Sequence, residues 1–221
     1  MAEAANYNDW LLERAQPFVG GRVLDFGAGI GTFTAAVATT ADVVAVEPDP
    51  EFAPLLRERF SDNPRVTVVE ADAAWLTGGE PPDRFDTILC FNVLEHIADD
   101  KGVLARFHDR LLRGGHLLLL VPAHQLLYGQ IDENVGHERR YGRGHVRRLL
   151  EDTGLTPFDV RYVNPLGAAG WLVSSRILRR QQVPAGPLRS YDRLVPILQR
   201  LDRLPLPFGL SVWAVARRAS E

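Results

Sequence analysis

Val23-Leu24-Asp25-Phe26-Gly27-Ala28-Gly29-Ile30-Gly31-Thr32 is the stretch whose reading decides the fold. An apolar run ends at an acid, three glycines follow at alternate positions, and an amphipathic segment begins. That order predicts a strand, a tight turn and a helix N-terminus. Glycine tolerates positive φ and lets a ligand approach the backbone without meeting a Cβ. A strand–glycine turn–helix unit of this kind binds nucleotide-like molecules.

Outward from that turn the pattern repeats. Tyr7–Phe18 reads as an amphipathic helix, stopped by Pro17 and Gly20-Gly21. Strands are predicted over Arg22–Phe26, Val43–Val46, Val66–Val69, Phe85–Phe91 and His116–Val121. Helices are expected between them, near Gly31–Thr39, Pro50–Phe60 and Asp99–Leu111, the last ended by Gly114-Gly115. Gly78–Pro82 reads as a loop. The strands are apolar throughout, without alternation, as parallel strands covered on both faces must be. Strands alternating with helices make a doubly wound α/β sheet. Ligands then sit beyond the strand C-termini at the switch point, which gathers Asp25, Gly27, Gly29, Glu47, Asp72 and Asn92 on one rim.

The second half is less regular. Ala123–Gly144 is polar and rich in His, Arg, Tyr and Gly. Val146–Glu151 reads as a short helix, Phe158–Val163 as a sixth strand and Leu210–Ala216 as a seventh. Between the last two lies Asn164–Gly209, with a predicted helix over Leu194–Leu204. The chain is read as one domain: a helical cap over 1–20, a cofactor-binding core over 21–122, an acceptor-side loop over 123–145, and a C-terminal part over 146–221 with an insertion at 164–209.

With 221 residues, 46% of them hydrophobic, one well-filled core is expected. The net charge of −3 and the lack of a basic stripe with interleaved aromatics argue against nucleic acid as a partner. The single cysteine, Cys90, lies in an apolar run, so no intrachain disulfide can form and a reducing compartment is implied. It reads as a small core residue. The N-terminus lacks a signal-peptide pattern, and no apolar run reaches the length of a membrane span. Together these read as a cytoplasmic protein. No metal site is expected.

A nicotinamide fold would carry G-x-G-x-x-G, with its third glycine where Thr32 stands. Here the spacing is G-x-G-x-G, preceded by Asp25. This pairing resembles motif I of the class I S-adenosylmethionine-dependent methyltransferases. Further motifs follow in order: Glu47 at the end of the second strand, Ala71-Asp72-Ala73, Phe85-Asp86-Thr87-Ile88 leading to Asn92-Val93-Leu94-Glu95-His96-Ile97, and Leu111–Leu117. The last two are similar to segments of the type 11 and type 12 subfamilies.

The resemblance implies a Rossmann-like, mostly parallel seven-stranded sheet with an antiparallel last strand and a helical insertion before it. It implies S-adenosyl-L-methionine as methyl donor and S-adenosyl-L-homocysteine as product. Asp25, Gly27, Ala28, Gly29, Glu47, Pro48, Asp72, Ala73 and Asn92 are the expected cofactor residues. Glu47 suits the ribose diol and Asp72 the adenine amine, because a carboxylate accepts charge-assisted hydrogen bonds. Asp25 acts through water or holds the turn.

Methyl transfer from a sulfonium is an in-line displacement that rests on proximity and alignment. Acceptor pockets in this family are built by the N-terminal helix and by the segments after the fourth and fifth strands. Tyr7, His96, Tyr128, Arg139, Arg140 and Tyr141 are therefore the expected acceptor-binding residues. His137, then His124, are the candidate bases. The run Gly136-His137-Glu138-Arg139-Arg140-Tyr141 is similar to a segment of a bacterial subgroup of these enzymes. Its arginines suit a small anionic or polar acceptor in bidentate fashion; alternatively Arg140 pairs with Asp132 or Glu133 to hold the loop. The arginine-rich stretch after Trp171 reads as a helical cover or homodimer contact, or else as a basic surface touching lipid or a lipid-linked acceptor. Two other functions stay open: a cofactor-binding protein without turnover, and a rearrangement assisted by the sulfonium charge.

Overall fold

The computed structural model describes residues 5–78, 84–171, 192, 195 and 206–220. Seven strands form one sheet: β1 Arg22–Phe26, β2 Asp42–Glu47, β3 Val66–Glu70, β4 Phe85–Phe91, β5 Leu111–Pro122, β6 Leu155–Val163 and β7 Ser211–Arg218. Their order is β3-β2-β1-β4-β5-β7-β6. The chain starts at β1, winds outward to β3, then crosses to β4 on the other side of β1. Neighbours from β3 to β5 are parallel, while β7 runs antiparallel to both β5 and β6. This is the expected mixed sheet with its antiparallel last strand.

The apolar strands fill two layers. Leu24, Phe26, Val44, Val46, Ile88, Cys90, Leu117 and Leu119 face one side, where α4 (Asp100–Arg110) and α6 (Arg143–Asp152) cover them. Val23, Val43, Leu89, Phe91, Leu118, Leu120, Trp213 and Val215 face the other, beneath α1 (Ala5–Ala15) and α2 (Thr32–Val37). Alternate residues of each strand thus serve opposite layers, and both layers exclude water. Cys90 is fully buried, and that burial pushes its thiol well above the ordinary range.

Three local details differ from the expectation. Gly114-Gly115 does not end α4, which stops at Arg110. Phe85 pairs with Leu111 but Thr87 with His116, so the intervening residues bulge out of β5. Gly114 takes φ +78° there, and a Cβ on Gly115 would lie 2.9 Å from the Asp86 carbonyl oxygen. The helix expected from Pro50 begins two residues later, as α3 (Phe52–Arg59), so Pro54 falls in its first turn, where its missing N–H costs nothing. The segment 123–145 is not a plain loop. It holds a 3₁₀ turn at Gln125–Leu127, α5 (Gln130–Asn134) and a bridge between Ala123 and Tyr141, and α6 begins within it.

After β6 the chain enters α7 (Pro165–Trp171). The helix expected at 194–204 and the arginines after Trp171 lie outside the described residues, apart from Val195, which is helical and buried. Among the described residues, no helix is long and apolar enough to cross a membrane.

Candidate functional site

The glycine turn is built from below. Gly27 and Ala28 donate their amides to the Val46 carbonyl at 2.8 and 3.0 Å, which folds the turn over the end of β2. Gly27, Gly29 and Gly31 all have positive φ. A Cβ on Gly27 would lie 2.2 Å from Val93, and one on Gly31 2.5 Å from Phe60. A Cβ on Gly29 would meet nothing within 4 Å. The outer glycines are therefore required by packing, while the middle one faces open space.

That space is a cavity of about 760 Å³ over the C-terminal ends of β1, β2, β3 and β4. Gly27, Gly29, Glu47, Pro48, Asp72, Ala73, Asn92 and His96 line it, all singled out from sequence. The walls also include Phe26, Val46, Phe52, Val93, Ile97 and Val135. No local signal marked these apolar positions as ligand-facing.

Glu47 accepts from the Gly29 amide at 2.6 Å through Oε2 and from the Asp49 amide at 3.0 Å through Oε1. It therefore ties the glycine turn to the end of β2. Asp72 is exposed on the opposite wall and caps a 3₁₀ turn, accepting from the Ala74 amide at 2.8 Å. Asn92 takes φ +55°, a strained value for a side-chain-bearing residue, where β4 turns sharply into the cavity wall.

Asp25 and Ala28 do not line the cavity. Asp25 is buried beneath the turn and accepts from Thr34 Oγ1 at 2.6 Å, fastening β1 to α2. Burial raises its pKa to about 6, with Glu47 adding to the effect and the Thr34 hydrogen bonds opposing it.

The acceptor-side residues divide into two sets. Glu95 and His96 lie in a 3₁₀ turn after β4, and the 136–139 segment is stitched against it. Glu138 donates its amide to the Glu95 carbonyl at 2.8 Å, and Arg139 donates to the Ile97 and Ala98 carbonyls at 2.9 and 3.1 Å. His137 is thereby laid edge-on against His96, ring centres 4.8 Å apart. His137 Nδ1 lies 2.7 Å from Asp132 Oδ1, and its Nε2 lies 3.8 Å from Glu95 Oε1. Burial alone would raise the Asp132 pKa, but hydrogen bonds from His137, Arg140 and the Gly129 amide together hold it below the usual range. His96 sits on the cavity wall with Nδ1 3.2 Å from the Gly136 carbonyl. Desolvation, then neighbouring His137, lowers its pKa, which favours the neutral ring.

The second set is occupied within the protein. Arg140 is buried, pairs with Asp132 at 2.8 Å and lies over the Trp171 ring. Arg139 pairs with Asp100 at 3.0 Å. The hydroxyl of fully buried Tyr141 lies within hydrogen-bond distance of the Leu94 carbonyl and Asp100, and Tyr128 donates to the His137 carbonyl at 2.7 Å. Tyr7 is buried against Trp10, away from the cavity lining. His124 is stacked on Tyr162 at 4.4 Å and also lies off the lining. Of the two arginine readings, the geometry matches the one in which Arg140 holds the loop.

Sequence reasoning passed over Glu95 as a site residue. It is fully buried, and neither carboxyl oxygen has a hydrogen-bond partner. Burial pushes its pKa up to about 8, against the pull of its own amide and of Arg140. The signal available was its place beside His96 directly after a strand.

A family model described as a methyltransferase domain, type 12, matches residues 24–117. An uncharacterised methyltransferase of Bacillus velezensis is 29% identical over 113 residues, covering 47% of this chain and 51% of that protein. A ubiquinone biosynthesis O-methyltransferase of Xanthomonas euvesicatoria is 34% identical over 106 residues, covering 45% of this chain and 42% of that one. The chain thus spans about half the length of these curated relatives. The crystal structure of a SAM-dependent methyltransferase from Archaeoglobus fulgidus superposes with a TM-score of 0.65 at 17% identity, covering 96% of this chain and 94% of that one. This last likeness is one of fold.

Proposed function

We propose that the protein, whose residues 24–117 match a family model described as a methyltransferase domain, transfers the methyl group of S-adenosylmethionine to a small polar acceptor entering beside His96. The observation that carries this reading is the cavity itself. It is open over Gly29 and lined by Glu47, Asp72, Asn92, Val93 and His96.

The methionyl end of the cofactor lies over the glycine turn, where no Cβ obstructs it. Glu47 would hold the ribose diol and Asp72 the adenine amine, with Phe52 and Ala73 as apolar walls. Transfer would then need an acceptor in line with the sulfonium methyl, and His96 and Val135 are the lining residues proposed to border it. Because Arg139 and Arg140 are engaged inside the protein, recognition of the acceptor falls to His96 and the neighbouring walls.

Calorimetry with S-adenosylhomocysteine tests the cofactor half of this reading. A one-to-one complex is expected, and no measurable affinity for either cofactor form refutes it. Release of S-adenosylhomocysteine in the presence of small hydroxyl, amine or carboxyl acceptors tests the transfer. Cofactor binding without release across those classes would favour a protein that binds and does not turn over.

A further inference from the structure

Glu95, His96 and His137 each offer one ligand-type atom, and these atoms lie within 4.8 Å of one another. They come from two segments far apart in sequence, held together by the Glu138 amide and the Arg139 guanidinium. We infer that this cluster is a binding site for a divalent first-row transition cation at the acceptor end of the cofactor cavity.

Three observations on the donor atoms support it. First, a carbonyl oxygen only accepts hydrogen bonds, so His96 must carry its proton on Nδ1 to bond Gly136, which leaves the Nε2 lone pair free. Second, Asp132 fixes the same tautomer in His137. Its carboxylate accepts a hydrogen bond from Nδ1–H at 2.7 Å and is itself anchored by Arg140 at 2.8 Å and the Gly129 amide at 3.0 Å. A carboxylate behind the distal nitrogen of an imidazole is the arrangement that orients histidine ligands and raises their basicity. Third, Glu95 is wholly buried with both oxygens unpartnered. Buried carboxyl groups are normally hydrogen-bonded or bound to a metal.

Asp132 and Arg140 offset each other as an ion pair at 2.8 Å, so Glu95 is the carboxyl group left to balance a bound cation. The donor set is two imidazoles and one carboxylate, which suits Zn²⁺, Co²⁺, Fe²⁺ or Mn²⁺ better than Mg²⁺ or Ca²⁺. Metal–ligand bonds of about 2.0–2.2 Å require ligand atoms roughly 3.4 Å apart. The 3.8 Å between His137 Nε2 and Glu95 Oε1 comes near this, while the cluster's outer limit of 4.8 Å means that binding must draw the side chains together by about 1 Å or more.

Three protein ligands leave coordination positions open, and one of the three, His96, lines the cavity. On the methyl-transfer reading above, those positions take an oxygen acceptor as its oxyanion. The hydroxyl proton leaves to water, the oxygen–methyl bond forms, and the sulfonium–methyl bond breaks to give S-adenosylhomocysteine. The acceptor class this assigns is a hydroxyl compound.

Cobalt is the probe. Protein stripped with a chelator and desalted is titrated with Co²⁺, followed by its visible d–d absorption and by calorimetry. One equivalent is expected to bind with micromolar or tighter affinity. Glu95→Gln and His96→Gln should each weaken binding at least 30-fold. His96 is at the surface, so its variant carries the test if the Glu95 variant fails to fold. No saturable d–d band in the wild-type protein, a response to Mg²⁺ alone, or unchanged affinity in both variants overturns the proposal. S-adenosylhomocysteine binding by the stripped protein separates the two readings: its failure sinks the cofactor assignment, while the cobalt titration still decides the metal site.

Discussion

Gly27 and Gly29 stand two residues apart in one turn, yet replacing each by alanine should damage different properties. At Gly27 (φ +79°) an alanine has two costs. The left-handed backbone costs about 1–2 kcal/mol for a residue with a Cβ. The new methyl would also lie 2.2 Å from a γ-methyl of Val93, a β-branched side chain with little freedom to turn aside. Overpacking of this kind adds about 1–3 kcal/mol, so Gly27→Ala should lose roughly 2–5 kcal/mol of stability. At Gly29 (φ +56°) only the backbone cost applies, about 1–2 kcal/mol, because a Cβ there meets no protein atom within 4 Å. That methyl instead occupies the cavity beside the Glu47 contact. Gly29→Ala should therefore weaken S-adenosylhomocysteine at least tenfold, about 1.4 kcal/mol, in a protein that remains folded. Urea denaturation gives the stability difference through the midpoint shift at constant slope, and calorimetry gives the affinity. Equal stability losses in the two variants would refute the packing argument. Wild-type affinity in Gly29→Ala would refute the placement of the cofactor over the turn.

Glu47→Ala removes both the proposed diol contact and the acceptor for the Gly29 and Asp49 amides, so cofactor affinity should fall at least tenfold, again read by calorimetry. The folded-state pKa of Asp25, near 6, lies above its ordinary 3.8, so its contribution to stability is present below pH 4 and lost as the pH rises through 6. Asp25→Asn should accordingly gain on the order of 3 kcal/mol relative to wild type between pH 4 and pH 7; parallel stability–pH curves would contradict this. Asp132→Ala strands the buried Arg140 charge and should cost about 3–5 kcal/mol. The double variant with Arg140→Met should recover much of that loss in the same denaturation assay.

The strands were legible because their evidence is local. Arg22–Phe26 and Phe85–Phe91 are bounded in the structure as the apolar runs predict. The Gly114-Gly115 pair misled because glycine marks both helix ends and sheet bulges. Which applies depends on β4 lying alongside, a neighbour invisible to local pattern. In the acceptor region, Tyr128, Arg139, Arg140 and Tyr141 have the composition of a binding loop. Their polar groups are consumed in holding His137 against His96, because a buried guanidinium or phenol must find partners. Composition names the donors and acceptors but does not say which of them meet.

By itself the sequence determined the order of strands and helices, the glycine turn at 27–31, and the rim that Glu47, Asp72 and Asn92 share. Runs of apolar residues, turn-forming residues and their spacing express backbone preferences over a few positions, and the sheet topology then leaves few alternatives. Tertiary structure alone decided that Gly29 is open while Gly27 and Gly31 are packed, and that Asp25 braces α2 from beneath the turn. It also decided that Glu95 is buried without a partner at the meeting point of two histidines. Burial and hydrogen-bond satisfaction are properties of contacts between distant segments. They come into existence only when the 136–139 segment closes over the end of β4.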